Sequence, residues 1–216
     1  MIHLFEQAIT PAITALPWLS RWGGAAFPVQ AGGSYYDPDT GQDVRIRQTY
    51  PVSCRIQVDC DAEGYYSKLL PDDRLASLAW MEAVGGYSYE QDKTGAATVR
   101  QRIRLIFWLN MQRLGNVDCG GYLPYKLSVL QALPTGKQWA YTPEGFTKPA
   151  VVSVRGAGGV EHTPQAVFGP YTFAIQQRLF LHPYAFFGID LDMSAYLPIG
   201  CFCLEEGEPI ECLTTW

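Results

Sequence analysis

The sequence predicts an α+β fold: a mainly antiparallel β-sheet with a long hairpin, an N-terminal helix and a few further helices packed against one face. Three observations predict it. Val99–Asn110 alternates strictly at first, with Val99, Gln101, Ile103, Leu105, Phe107 and Leu109 on one face and Arg100, Arg102, Arg104, Ile106, Trp108 and Asn110 on the other. Clusters of turn residues punctuate the chain at Asp37–Gly41 and Gln91–Gly95. Residues 2–20 carry Leu4, Phe5, Ala8, Ile9, Ile13 and Leu16 at roughly helical spacing.

Taken in order, the N-terminal helix is expected to kink or divide, because Pro11 and Pro17 each remove a helical N–H. Residues 22–33, rich in Gly and Ala, read as loop. Tyr35-Tyr36, the turn at Asp37–Gly41 and the alternating Val44-Arg45-Ile46-Arg47 form a hairpin candidate. Pro51–Val58 reads as another strand and Asp59–Asp73 as a loop. Residues 74–84 fit both periods. The strand is favoured because Tyr87–Glu90 and the following turn lead into the long strand. From Leu105 onward that strand is apolar on both faces, so its far end is expected to be covered on both sides. Tyr125–Ala132 reads as a short helix and residues 133–165 as loop-rich, with one strand, Val151–Arg155, stopping at Gly156-Ala157-Gly158-Gly159. Further strands are expected near Thr172–Leu181 and Ala185–Leu191. No repeat or linker divides the chain, which reads as one domain, 1–216, with elaborated loops.

Composition narrows the function. Hydrophobic residues are 48% and charged residues 17%, a balance that excludes a disordered chain. The net charge of −5 argues against sequence-specific duplex-DNA binding, which needs a basic excess. No run reaches transmembrane length, and the N-terminus carries Glu6 with no basic n-region, so a signal peptide is not expected and the cysteines are read as reduced thiols.

No catalytic or cofactor constellation stands out. Cys201 and Cys203 form one close pair without the second pair that structural zinc wants. Asp59-x-Asp61-x-Glu63-Gly64 opens like a calcium loop, but Leu70 stands where the bidentate acid belongs. His182 and the thiols are the first candidates should an unfamiliar enzyme site exist, although a lone His beside Pro is more often structural. Neither metal nor cofactor is expected.

One charge feature remains. Arg100, Arg102 and Arg104 share one face of one strand, and Arg45 and Arg47 repeat the spacing earlier. The plain reading is a solvated sheet face with cross-strand partners. The sharper one is a surface that meets an acidic neighbour such as the Glu205–Glu211 stretch of an adjacent copy; nucleic acid is the third and least favoured, given the acidic total.

Two stretches carry a family resemblance. One is Leu105-Ile106-Phe107-Trp108-Leu109-Asn110, preceded by basic residues. The other is Phe168-Gly169-Pro170-Tyr171, followed by Leu179-Phe180-Leu181-His182-Pro183-Tyr184-Ala185-Phe186-Phe187-Gly188-Ile189 and Cys201. Over roughly residues 75–203 the chain resembles proteins encoded among the structural genes of phages and prophages of the Bacteroidetes. Its layout is similar to tail-terminator, tail-completion and neck proteins. The resemblance implies a virion component, assembled in the host bacterial cytoplasm. It would form a homo-oligomeric ring with other tail or connector proteins around the DNA passage, without catalysis. The long hairpin, Arg100, Arg102, Arg104, Tyr87, Tyr89, Arg45 and Arg47 are the candidate interface. The alternative is a small-molecule or peptide-binding β-rich module whose aromatics line a pocket.

Overall fold

A computed structural model describes residues 2–37, 40–53, 67–93, 95–116, 121–143, 148–169, 171 and 180–198, without the side chains of 31, 33–37, 45–48, 67 and 68. In chain order the elements are α1 (Ile2–Thr14), β1 (Arg21–Asp37), β2 (Gln42–Ser53), β3 (Ser67–Lys68), β4 (Ser77–Gln91), β5 (Ala97–Asn110), α2 (Leu123–Ala132), β6 (Gln138–Tyr141), β7 (Ala150–Gly159), α3 (Pro164–Phe168) and β8 (Tyr184–Leu197). The strands lie in the order β3-β2-β1-β4-β5-β8-β7-β6. Every neighbouring pair is antiparallel except β1 and β4. The α+β class is as the sequence predicts.

The apolar half of β5 is the reason two layers can close on one sheet. On one face Met81, Ile103, Leu105, Phe107, Phe187 and Leu191 are buried with Phe5, Ile9 and Ile13 of α1 and Val129 of α2. On the other, Trp80, Ile106, Trp108 and Phe186 are buried under Val167 and Phe168 of α3, Tyr171 and Leu69. β5 is continuously buried from Leu105 to Asn110, so the expected double coverage of its far end is present. Helices therefore cover both faces, not one.

Several boundaries differ from the expectation. α1 runs through Pro11 as one helix and ends before Pro17. Residues 22–33 are strand, not loop. Small residues suit this stretch because β1 pairs with β4 only from Arg21 to Ala25, with a register shift at Gly23-Gly24, and then with β2. Gly24 has φ 70°, and a Cβ on Gly23 would stand 2.6 Å from the Leu69 side chain.

β2 is one strand through Pro51, where two had been expected to meet. The Pro51 carbonyl accepts from Leu69 N on the side away from β1, and its missing N–H points the same way, so the β1–β2 ladder is undisturbed. β7 continues through Gly156–Gly159, paired with β8 as far as Gly159↔Ile189. The short elements β6 and α3 fall in regions read as loop or left unassigned. Residues 74–84 do enter a strand, and the hairpin turn falls where expected. The strand expected near Thr172–Leu181 lies mostly outside the described residues.

Candidate functional site

β4 and β5 pair from Ser77↔Leu109 to Val84↔Arg102, and again from Ser88↔Arg100 to Gln91↔Ala97. Between the two stretches Gly85, Gly86 and Tyr87 stand against Gln101, and Gly85 takes φ 75° to make the bulge. β4 is buried from Ser77 to Glu82, whereas none of its residues from Ala83 onward is buried. β1 pairs with β4 only as far as Met81, so the outer half of the β4–β5 hairpin is an arm whose β4 side is an open edge, while β5 stays paired with β8. Tyr87 is 59% and Tyr89 54% exposed on the arm.

The arginine stripe answers to carboxylates of the same chain, as the plain reading of a sheet face with cross-strand partners had it. Arg104 donates to both oxygens of Asp190 at 2.7 and 3.1 Å and to the Ala166 carbonyl at 2.8 Å. Its side chain is only 19% exposed. Arg102 pairs with Asp192 at 3.0 Å and Arg100 with Glu90 at 3.2 Å, all four side chains about half exposed or more. The stripe therefore grades from a structural clamp to a solvated surface. Of the three candidate interface arginines, Arg104 is the one most engaged inside the fold.

Around Arg100 and Arg102 lies a shallow hollow of about 390 Å³. Tyr87, Ser88, Asp192 and Arg155 of β7 also line it. Arg155 donates through Nε to the Ser194 hydroxyl at 3.1 Å and has no carboxylate partner among the described residues. The expected interface residues Arg100, Arg102 and Tyr87 thus come together. Tyr89, opposite Val99, faces the other side of the arm. Arg45 and Arg47 are on β2, with β1 and β4 between them and β5, so they do not extend the stripe. Their side chains lie outside the described residues.

A second constellation was not foreseen. Glu82 of β4 stands opposite Arg104, and its Oε2 accepts a 2.6 Å hydrogen bond from the Tyr171 hydroxyl. Both residues are nearly buried. Burial is the main cause that raises the Glu82 carboxyl above its ordinary range, against the Tyr171 hydrogen bond and the Arg104 charge, which favour ionisation. Burial, then the neighbouring Glu82 charge, raises the Tyr171 phenol as well. These groups border a cleft of about 320 Å³ where β1 leaves β4, with Ala26, Phe27 and Pro28 on one wall and Ala83, Val84 and Gly85 on the other. Chemically the cleft offers an apolar slot with a polar end, where Tyr171 donates to Glu82 and Arg104 donates to Asp190 and the Ala166 carbonyl.

The folded chain holds the Glu82 proton more tightly than the unfolded one. The stability this contributes is complete below the ordinary glutamate pKa and is lost as pH rises through the folded value. Glu82→Gln cannot ionise and still accepts from Tyr171. It is expected to melt above the parent at about pH 8, with the gap closing towards about pH 4. A lower melting temperature at the higher pH would contradict this assignment.

Among the described residues no group of three or more His, Cys, Asp or Glu is placed to hold a metal ion. All six cysteines, the Asp59–Gly64 loop and the Glu205–Glu211 stretch lie outside the described residues. No helix among those described is long and apolar enough to cross a membrane. No protein-family model matches the chain, and no curated protein matches it closely enough to count as a relative.

Proposed function

We propose that this chain is a structural subunit of a phage tail or neck, of the tail-terminator, tail-completion or head–tail connector kind, acting by ring assembly and not by catalysis. The observation that carries the reading is the β4–β5 arm. An open edge strand, unburied from Ala83 onward and carrying two exposed tyrosines, has the composition of an interface, since Tyr joins a large apolar body to a polar handle. The resemblance of Leu105–Asn110 and Leu179–Ile189 to phage structural proteins supplies the setting. Copies of one weak contact, closed by rotational symmetry, build a stable ring. The subunit would be assembled in the host cytoplasm and act in the virion, alongside other tail or connector proteins.

The arm makes a direct test. Tyr87→Ser with Tyr89→Ser removes two exposed aromatic side chains, so the melting temperature should move by the equivalent of less than about 1 kcal/mol. Sedimentation velocity should show the assembled fraction falling strongly. Unchanged assembly in this variant would remove the arm from the interface.

The cleft beside Glu82 supports a second reading, a small-molecule or peptide-binding module. That reading requires a monomer whose melting temperature rises when a ligand fills the cleft.

A further inference from the structure

We propose that the cationic hollow on the β4–β5 arm receives the acidic stretch Glu205–Glu211 of a second copy of this chain. The inference rests on the ring reading and names the contact that closes it.

Charge is the first argument. The chain is acidic overall, at −5, yet the hollow gathers Arg100, Arg102 and Arg155 against Asp192 alone. Counting Glu90 beside Arg100, three cations still face two carboxylates. Arg155 uses one N–H on Ser194, which leaves most of a planar five-donor fork for a carboxylate. The pairs Arg100–Glu90 and Arg102–Asp192 are exposed, so exchanging their partners for incoming carboxylates costs little.

The occupant is chosen by sequence and by reach. Residues 199–216 contain Glu205, Glu206, Glu208 and Glu211 and no Lys or Arg. In an extended chain Glu206 and Glu208 point to one face, the same period-two spacing as Arg100 and Arg102. β8 ends at Leu197, opposite Ala97 at the outer end of the arm. The segment that follows therefore starts beside the hollow's own hairpin, and 18 residues can span at most about 60 Å, enough to cross to a neighbouring copy.

The test uses the full chain. A fluorescent peptide with the sequence of residues 199–216, its cysteines replaced by serine, is titrated onto the dispersed protein at low salt. The expected result is saturable binding that weakens about tenfold or more in Arg155→Glu, and likewise at about 0.5 M salt. Arg155 is exposed, so an unchanged melting temperature separates this loss from unfolding. Absent binding, or binding indifferent to Arg155→Glu, overturns the inference. So does a peptide refused by the dispersed parent yet taken up by E205K/E206K/E208K/E211K, because the stretch then occupies its own hollow. Rings that persist in Arg155→Glu overturn the inference and leave the ring reading intact. Peptide binding to a chain that never assembles supports the docking and removes the ring reading.

Discussion

Replacing Phe107 by alanine is expected to cost about 3–5 kcal/mol, the range for emptying a large aromatic site in a packed core. Phe107 is fully buried at the centre of β5. Its ring stacks on Phe187 of β8 at 4.7 Å and meets Trp18 at 5.8 Å. The side chain thus joins the two central strands to the chain that leaves α1, and its ring neighbours come from two separate stretches that cannot both collapse into the void. In a chain of this size the loss corresponds to a fall in melting temperature on the order of 10 °C or more. Phe107→Leu should cost less, because most of the volume stays. A Phe107→Ala loss below about 1.5 kcal/mol would mean that the two-layer core is not packed as described.

The second large effect separates three arginines that look alike in sequence. Arg104→Ala should destabilise the fold by about 2–4 kcal/mol, because it leaves Asp190 without its partner in a largely enclosed site. It also frees the Ala166 carbonyl that Arg104 holds in the middle of α3. Arg100→Ala and Arg102→Ala should each cost less than about 1 kcal/mol, since their ion pairs are solvated. Denaturant unfolding of the three variants measures the gradient. Equal losses along the stripe would contradict the distinction between clamp and surface.

That distinction also marks where sequence reading stops. The long strand, its doubly apolar end and the turn before it were legible because period-two alternation and turn chemistry are local signals. The pairing of Arg102 and Arg104 was not legible, although its mate was present: Asp190-x-Asp192 has the same period two on β8. Only the register that sets Arg102 against Asp192 and Arg104 against Asp190 turns two spaced pairs into bonds.

β1 was hidden for a different reason. Its glycines and alanines lack strand propensity, and it forms because two neighbours supply ladders. The Glu82–Tyr171 pair joins residues far apart in sequence, for which no local pattern exists. Arg155 carries no local signal of its role, because it precedes Gly156-Ala157-Gly158-Gly159, a run with the composition of a turn. β7 in fact carries on and holds Arg155 beside the hollow.

The arm is where the functional account is most exposed. Static light scattering of the purified chain over a range of concentrations, with negative-stain microscopy of the same samples, tests it most directly. The account predicts a discrete assembled species that grows with concentration and shows closed rings of one rotational symmetry. A strict monomer at every concentration would contradict it.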